Sequence, residues 1–543
     1  MRKRKLIPSM APKTWLLVLL LLPVLLGAQS LNDDYMFPGD EAWEEPTYPV
    51  LTKPEFNLGG LLGNILVDNK WYSQLRLRPE VAIWKVGIGM DIDLLFDGEG
   101  KLRRKGWETW QDVAKKIFFL RFSDRRDSLY FKIGCIPDYT LGHGLIFDDY
   151  SNMLRYPEEK PIGGYLGANT NAYGFGFEVY THDISKNEVV AGRASIKPLL
   201  GTRLPLLKNL TLGVNLGADR DPYGKYPDTD GDGYPDVYDK FPLDPDSWLD
   251  TDDDGVPDQI DIDLNGNSIL DHPSLNPYVN EVFPNIGQLY PDYPFDTAVF
   301  PDSAACYPDP RPMWVYSVDY ELPIVDNENF RLSNYGEYAV MKDYGSGLIL
   351  PGLAARFLIF DVKLEFRSFT DRFLPAYFNH LYDEQRCQVI YTGIEGQEGR
   401  RYYSLRTKDE DLTGLESSLG WFGYLKGNIA NFAQLKVAYQ DKFNAEVAKG
   451  KSLWAKLSFM PEKFPKLREA SLYYAQTDVD RLDLKNWKNT SAELNGLIVY
   501  GYNESYNLIC KYREFYQDAN GDGIIAGQDE IIESLSLGIE FQF

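Results

Sequence analysis

The chain has 543 residues, a formal net charge of −24, and 14% aromatic residues beside 25% charged ones. So acidic a chain repels phosphate backbones, which excludes nucleic acid as an expected partner. It has only four histidines, and none stands in a motif that pairs a nucleophile with a base, so neither an enzyme activity nor a catalytic residue is predicted.

Residues 1–28 have the order of a secretory signal peptide. A basic head, MRKRKLIPSMAPK, precedes the apolar run TWLLVLLLLPVLLG, which ends just before Ala28. This run is shorter than the ~18–20 residues of a spanning helix, which favours cleavage near Ala28 over a retained anchor. Residues 29–56 are rich in proline and acid, and we expect a loosely ordered periplasmic lead-in there.

Apolar and polar residues alternate along much of the remaining chain. Examples are VGIGMDIDLLF, FLIFDVKLEFRSF and the C-terminal SLSLGIEFQF, and a period of two is typical of β-strands. After the signal peptide, no apolar run is long enough to span a membrane as a helix. A membrane location therefore requires a closed barrel, because only helices and closed barrels satisfy every backbone group in lipid.

The last ten residues, 534–543, end on the aromatic Phe543 and resemble the closing strand of bacterial outer-membrane barrels. The resemblance implies an all-β fold, a transmembrane antiparallel β-barrel in the outer membrane of a Gram-negative-type bacterium. Its implied partners are outer-membrane lipid and the barrel-assembly machinery, which reads the terminal aromatic residue. At ~10 residues a strand, segments 57–218 and 313–543 suit roughly 14–18 strands.

The polar face of these strands carries charges of both signs. If the apolar face contacts lipid, the polar face lines the lumen. A water-filled pore and a closed barrel filled by a lattice of salt bridges both fit this pattern, and barrel width decides between them. The residues predicted to line the lumen are Arg76, Arg78, Glu80, Asp91, Asp93, Asp361, Lys363, Glu365 and Arg367.

An acidic insert at residues 219–312 contains two copies of D-x-D-x-D-G-x-x-D-x-x-D. Oxygens at positions one, three, five and twelve can surround Ca²⁺ at ~2.3–2.6 Å, and glycine at position six permits the sharp turn. A third, weaker copy has Ser268 in place of the glycine. The predicted ligands are Asp228, Asp230, Asp232, Asp236 and Asp239, then Asp250, Asp252, Asp254, Asp258 and Asp261, then Asp263, Asn265 and Asn267.

The cores GDGYPD and DDGVPD resemble thrombospondin type-3 repeats. The resemblance implies calcium wrapped by aspartates with little hydrophobic core, and it makes the ninth-position Asp236 and Asp258 less direct ligands. We expect the third copy to bind more weakly or to cap the array. Residues 219–272 contain 17 Asp against 3 Lys or Arg, and this net charge of −14 would repel itself without cations. The alternative, a solvated acidic linker, does not explain the periodic glycines.

A fourth candidate loop, QDANGDGIIAGQDE, precedes the last strand. Asp518, Asn520, Asp522 and Asp529 take positions one, three, five and twelve, and the loop resembles those of EF-hand and dockerin proteins. Its last position is Asp rather than the bidentate Glu of the EF-hand, and strands rather than helices flank it. A polar hairpin loop is the alternative to calcium binding.

Two functions are expected from these features. The first is a porin-like channel for small solutes, with a calcium-stabilised extracellular insert. The alternative is a surface-display or adhesion protein, in which the barrel is an anchor and the insert engages an extracellular partner. Lumen charges favour the channel and the size of the insert favours display.

Four distant cysteines, Cys135, Cys306, Cys387 and Cys510, match no metal spacing, and their pairing stays open.

Overall fold

The fold is seen in a computed structural model. It describes residues 51–542 apart from gaps at 68–69, 105–106, 110–111, 114, 126, 155–159, 171–173, 298–302, 307–310, 328, 395–396, 430–431, 444–449, 460–465, 483–484, 486, 490, 504–505, 517–524 and 526–530. The predicted signal peptide, most of the lead-in and Phe543 lie outside these residues.

The described chain consists mainly of β-strands. They are β1 (Leu51–Val67), β2 (Lys70–Trp84), β3 (Val86–Met90), β4 (Ile92–Phe96), β5 (Ile117–Phe122), β6 (Leu129–Gly134), β7 (Gly163–Thr170), β8 (Phe175–Thr181), β9 (Val189–Ile196), β10 (Thr211–Asp219), β11 (Ser303–Ala304), β12 (Met313–Asp326), β13 (Phe330–Met341), β14 (Ser346–Phe357), β15 (Phe360–Phe369), β16 (Cys387–Ile394), β17 (Gln397–Thr407), β18 (Ser418–Ile429), β19 (Ala433–Lys442), β20 (Lys451–Phe459), β21 (Leu467–Val479), β22 (Ala492–Gly501), β23 (Tyr506–Tyr516) and β24 (Ile531–Gln542).

All of these strands except β11, β16 and β17 form one antiparallel sheet that closes where β24 pairs with β1. β3 and β4 both pair with β2 and are separated only by Asp91, so they are two halves of one strand. The sheet is therefore a closed barrel of 20 strands. Closure pairs the first strand with the last, and a closed sheet is the form in which strands can sit in lipid.

The strand number is higher than the predicted 14–18. The prediction assumed ~10 residues a strand, whereas β5 and β6 have 6 residues each. In addition, β1 begins at Leu51, inside the segment predicted as lead-in. The closing strand begins at Ile531 rather than at residue 534.

The two faces of the barrel differ in polarity. On β8, Phe175, Phe177 and Val179 are exposed on the outside, while Glu178 and Tyr180 are buried on the inside. The same alternation places Leu212, Val214 and Leu216 of β10 outside. So many exposed apolar side chains on one continuous surface belong in lipid, and the barrel is transmembrane.

Long connections gather at one end of the barrel, here called the long-loop end. There, residues 220–312 join β10 to β12 and residues 370–417 join β15 to β18. At the opposite, short-turn end, β14 and β15 are joined by two residues, 358–359. β1 starts and β24 finishes at the short-turn end.

Helices are few and short. α1 (Pro277–Val282) and α2 (Ile286–Leu289) lie in the insert, and α3 (Tyr382–Gln385) lies between β15 and β16; 3₁₀ turns occur at Leu207–Asn209 and Glu410–Gly414. None of the described helices is both long and apolar enough to cross a bilayer. A second, small sheet consists of the β16–β17 hairpin, with β11 of the insert parallel to β17.

The largest buried cluster fills part of the lumen. Residues 135–154, which follow β6 and are here called the inward loop, fold inside the barrel, and their Tyr139, Phe147 and Tyr150 are fully buried. They pack against inward-facing side chains of β8, β9 and β12–β15, and against Phe378 of the 370–417 connection. Phe147 stacks on Phe378 with ring centroids 4.2 Å apart.

Truncating Phe147 should loosen the inward loop without opening the barrel. Phe147→Ala removes a fully buried ring, which should lower the free energy holding the loop in place by about 3 kcal/mol. Limited proteolysis of the folded protein should then cut within residues 135–154. The matched control, Phe177→Ala, removes a ring from the lipid face and should leave the loop resistant; equal digestion of both variants would contradict the packing.

Candidate functional site

Glu337 on β13 fixes the inward loop to the barrel wall. Its Oε2 accepts hydrogen bonds from the backbone N–H groups of His143, at 2.9 Å, and Leu145, at 3.4 Å. Its Oε1 accepts a hydrogen bond from Ser317 Oγ at 2.6 Å. Gly142 has φ +64°, and a Cβ there would lie 2.9 Å from Glu337 Oε1. The carboxylate can therefore approach the loop only because position 142 is glycine.

Further charges on the same wall are paired with one another. Arg193 Nη2 donates to Asp319 Oδ1 at 2.8 Å, and Asn215 Nδ2 donates to Asp319 Oδ2 at 2.8 Å. Arg125 Nη2 lies 2.5 Å from Glu178 Oε1. On the side of β8–β13, these inward-facing charges are therefore paired with one another. Sequence reasoning missed these residues, although Ser317 and Asp319 alternate with Tyr316 and Val318 in the same period of two.

The structure divides the predicted lumen residues into two groups. The first surrounds Asp91, at the break between β3 and β4. Arg76 donates to it from Nε at 2.8 Å and from Nη2 at 2.6 Å, Arg78 Nε lies 3.5 Å away, and Lys160 Nζ also lies 3.5 Å away. Nearby, Gln74 Nε2 donates to Asp93 Oδ1 at 2.9 Å, and Arg121 Nη2 lies 3.9 Å from Glu80.

The second group lies on β15. Glu365 accepts hydrogen bonds from Tyr335 Oη, at 2.6 Å, and Arg367 Nε, at 2.7 Å. The Arg367 guanidinium lies over the Phe422 ring, 4.2 Å from its centroid. Asp361 pairs with Arg356 and lies 3.9 Å from Lys426 Nζ. Lys363 interacts electrostatically with Asp148 of the inward loop.

The first two acidic loops of the insert share one backbone frame. Gly233 N–H donates to Asp228 Oδ2 at 3.0 Å, and Gly255 N–H donates to Asp250 Oδ2 at 2.9 Å. Both glycines have φ near +90°. This left-handed turn, which glycine adopts without strain, brings the acidic side chains together. Ligand oxygens at positions one, three and five lie within 4.8 Å of one another, in Asp228, Asp230 and Asp232 and in Asp250, Asp252 and Asp254.

Several of these carboxylate oxygens are buried without a hydrogen-bond partner. They are Oδ2 of Asp230, Asp232, Asp239 and Asp252. Asp239, at position twelve, is only 6% exposed, and burial, followed by the charges of Asp232 and Asp230, raises its pKa to about 6. Converging carboxylate oxygens that lack donors fit a hard cation.

The ninth-position carboxylates do not converge with these oxygens; each accepts hydrogen bonds from a threonine of its own loop. Asp236 accepts hydrogen bonds from Thr229 N–H at 2.7 Å and from its hydroxyl at 2.6 Å. Asp258 accepts the same two bonds from Thr251, at 2.8 and 2.7 Å. The twelfth-position Asp261 of the second loop accepts from Asp263 N–H at 2.9 Å, and burial raises its pKa.

The third loop has the same backbone hydrogen-bond pattern as the first two, but different side chains lie at its centre. Ser268 N–H donates to Asp263 Oδ2 at 2.6 Å, and Ser268 adopts a left-handed φ of +65°. Oδ1 of Asn265 and Oδ1 of Asn267 accept backbone N–H groups, so both Nδ2 groups point to the loop centre. There they donate to the carboxylate of Asp296, from Asn265 at 2.7 Å. A carboxylate thus lies where free oxygens converge in the other two loops.

The fourth predicted loop, with Asp518, Asn520, Asp522 and Asp529, lies outside the described residues. The four cysteines are all described, and all are free thiols. Cys387 is buried, and Cys306 is exposed.

The first acidic loop rests on the β16–β17 hairpin. Tyr238 donates from Oη to the Ala305 carbonyl at 2.7 Å and packs with Cys387 and Leu405. At the base of the hairpin, Arg386 pairs with Glu188 at 2.8 Å and with Asp219 at 3.1 Å. The acidic insert, the hairpin and the barrel rim are therefore in continuous contact.

No protein-family model matches the chain, and no curated protein matches it. Solved structures of similar fold include the ferric enterobactin receptor of Pseudomonas aeruginosa in complex with enterobactin, at 10% identity and a TM-score of 0.39, covering 91% of this chain and 74% of the receptor. OccD1 (OprD) is 11% identical with a TM-score of 0.30, over 92% of this chain and 97% of its own. OccAB3 of Acinetobacter baumannii is 11% identical with a TM-score of 0.31, over 90% and 98%.

Removing the Glu337 carboxylate should release the inward loop locally. In Glu337→Ala, the N–H groups of His143 and Leu145 lose their acceptor. Amide hydrogen exchange at these positions should then quicken by roughly tenfold to a hundredfold. Mass spectrometry of peptides from residues 139–150 measures this rate. Asp326→Ala, which removes an exposed carboxylate from neighbouring β12, is the control, and unchanged exchange in Glu337→Ala would contradict this role of Glu337.

Proposed function

We propose that this protein is an outer-membrane channel for small solutes, and that calcium keeps its acidic insert in shape. One observation supports the assignment as a channel. Among the described residues, the buried cluster of the inward loop includes side chains of β8, β9 and β12–β15, and none of β18–β24. The remaining wall supports an open passage, since barrels of 16 or more strands are wide enough for an aqueous lumen.

Side chains on that remaining wall support the presence of water. Lys436 on β19 pairs in register with Lys456 on β20, and Asn495 on β22 pairs with Tyr473, the next register partner of Lys456; the two lysines and Asn495 face inward, yet they are partly exposed. Arg513 on β23, which pairs in register with Asn495, is exposed. Polar side chains that are exposed inside a closed barrel border solvent, not a packed core.

The inward loop narrows this passage with acidic side chains. Asp148 interacts electrostatically with Lys363 and Arg367, and Asp149 interacts electrostatically with Tyr473 on β21. Burial raises the pKa of Asp148 to about 6, and the two cations oppose that rise. A passage bordered by charges of both signs would select solutes by charge as well as by size.

The barrel topology supports an extracellular insert. With an even number of strands, the start of β1 and the end of β24 lie together at the short-turn end. Outer-membrane barrels have short periplasmic turns and longer extracellular loops. The long-loop end, with residues 220–312, would therefore face the medium.

The geometry of the insert supports two calcium ions. Asp228, Asp230, Asp232 and Asp239 would hold one, and Asp250, Asp252, Asp254 and Asp261 would hold the other. Bound calcium would offset part of the net charge of −14 in residues 219–272. The third loop would need no cation, because Asp296 already accepts hydrogen bonds from Asn265 and Asn267.

One observation favours the display function as a second candidate. The insert exposes large apolar side chains outside the membrane-spanning strands, among them Leu243, at 83%, Leu289, at 67%, and Tyr290, at 63%. Exposed apolar side chains of this size on a surface loop fit a protein partner.

Narrowing the passage should reduce ion current. The full chain, refolded into a planar bilayer, should conduct. Asn495→Trp places a large ring on the inner wall and should reduce single-channel conductance by roughly half. Leu494→Trp, on the lipid side of the same strand, should leave it unchanged. If the wild-type protein passes no current and deletion of residues 220–312 abolishes a cell-surface interaction, display replaces the channel.

Calcium titration should count two ions. Isothermal titration calorimetry of the full chain in detergent, carrying Asp518→Asn and Asp522→Asn to disable the predicted loop before β24, should give two sites with dissociation constants of ~0.1–1 mM, as in extracellular modules. Asp230→Asn with Asp232→Asn should remove one site, whereas Asp263→Asn should keep both. Chelator should make residues 219–272 sensitive to protease while the barrel stays intact. Three ions, or equal digestion with and without chelator, would refute this assignment.

A further inference from the structure

The insert carries a patch of exposed apolar side chains around its two short helices. Residues 276–296, here called the helical segment, contain α1 and α2. Five large side chains between residues 282 and 293 are exposed, and Phe283, the least exposed of them, is at 41%. We call these five residues the apolar patch: Val282, Phe283, Leu289, Tyr290 and Tyr293.

Consecutive hydrogen-bonded turns keep the members of the patch close together. Ile286 N–H donates to the Phe283 carbonyl at 3.1 Å, and Tyr290 N–H donates to the Ile286 carbonyl at 2.8 Å. Tyr293 N–H then donates to the Tyr290 carbonyl at 3.1 Å. Val279 of α1 is fully buried, so one side of that helix is already packed. The patch is therefore one compact surface and not a set of scattered exposed side chains.

Both ends of the helical segment are hydrogen-bonded to the acidic loops. Asn276 Nδ2 donates to the Asp261 carbonyl and to Asp271 Oδ2, each at 2.8 Å. At the other end, His272 N–H donates to the Asp296 carbonyl at 2.8 Å, and the carboxylate of Asp296 lies at the centre of the third loop. The segment is thus held in place while its apolar side chains stay in solvent, which lowers the entropic cost of binding a partner.

The chain on both sides of the patch carries negative charge only. Residues 241–310 contain 15 Asp or Glu and no Lys or Arg. Two of these acids border the patch along the chain, Glu281 beside Val282 and Asp292 beside Tyr293, and both are exposed. Two bound calcium ions would offset only four of the negative charges, so the insert stays acidic around the patch with or without calcium.

Apolar side chains within an acidic surface favour one class of partner. A second copy of this chain would bring the same acidic insert to the interface, and lipid phosphates would also bring negative charge, and like charges across an interface repel. A neutral partner would cover the patch but leave the surrounding acids without opposite charges. A cationic partner with apolar side chains matches both features, since interfaces combine an apolar core with a polar rim.

We propose that the apolar patch is a docking surface for a basic amphipathic segment of an extracellular protein. Leucine or aromatic side chains of the partner pack against Phe283, Leu289 and Tyr290, while its lysines or arginines lie near Glu281 and Asp292. The apolar contacts at the centre supply most of the affinity, and the charges at the rim select the partner. This inference rests on the display function, the second candidate above, and it names the class of partner.

The probe is a synthetic amphipathic helix of about 18 residues, with leucines on one face and lysines on the other. Hydrogen exchange of the full chain in nanodiscs of zwitterionic lipid is measured by mass spectrometry on peptides from residues 277–295, so probe bound to lipid does not enter the measurement. The lysine probe should slow exchange there by about threefold or more, whereas the same helix with glutamates in place of lysines should not. At about 1 M salt, where the Debye length is about 3 Å, the lysine probe should bind several-fold more weakly.

Leu289→Ser with Tyr290→Ser removes the two most exposed side chains of the patch. It should raise the half-saturating concentration of the lysine probe by about tenfold or more, and it should leave the fold intact because both side chains lie on the surface. Glu281→Gln with Asp292→Asn should raise that concentration by a few fold. Leu243→Ser is the matched control, because Leu243 is an exposed leucine of the same insert outside the helical segment. It should leave the concentration within about twofold of wild type.

Equal slowing by the lysine and glutamate probes, or equal losses in the Leu243 variant and the double-serine variant, would overturn the docking surface. Slowing by vesicles of anionic lipid without a probe, or by dimerisation of the chain in concentrated samples, would overturn the assigned partner. Failure of the lysine probe to slow exchange would reject the surface even in a protein that conducts ions. Slowing by the lysine probe, in a protein whose cell-surface interactions survive deletion of residues 220–312, would uphold the surface and reject display.

Discussion

Closure of the sheet by β24 on β1 is the constraint on which every other feature depends. In lipid, an unpaired strand edge would expose backbone N–H and C=O groups that no solvent satisfies. Pairing of Leu61 with Glu540 and of Leu62 with Ile539 removes that edge. Once the sheet is closed, strand alternation divides the molecule into a lipid-facing surface and an interior. Each inward-facing side chain then has a fixed height along the barrel axis and fixed neighbours on the adjacent strands.

Within that interior, charge is distributed unevenly. Charged side chains on the wall from β8 to β13 pair with one another, and Glu337 on this wall holds the inward loop. The polar groups of this wall therefore stabilise the fold. The wall from β18 to β23 instead presents lysines, aromatic rings and partly exposed amides to the remaining space. The paired charges thus lie on one wall, and the proposed passage borders the other.

The acidic insert shows how one loop frame serves two purposes. All three copies use a left-handed residue at position six and a first-position carboxylate that accepts its N–H. With Asp at positions three and five, Oδ2 of Asp230, Asp232 and Asp252 is buried without a hydrogen-bond partner. With Asn265 and Asn267, an amide group takes that place and attracts the carboxylate of Asp296. The change of two side chains thus replaces converging carboxylate oxygens by amide donors that bind a carboxylate.

The sequence by itself determined the features that depend on local order. The period of two indicated strands, and the fixed offsets of aspartate and glycine indicated the acidic loops, because strand alternation and tight turns involve residues only a few positions apart. Only the tertiary structure decided the number of strands, the path of residues 135–154 into the lumen, and the approach of Asp296 to the third loop. The attachment of residues 276–296 to the third loop was decided there too. These features depend on strand register and on contacts between distant residues, and a loop that enters a barrel has the same local composition as one that stays outside.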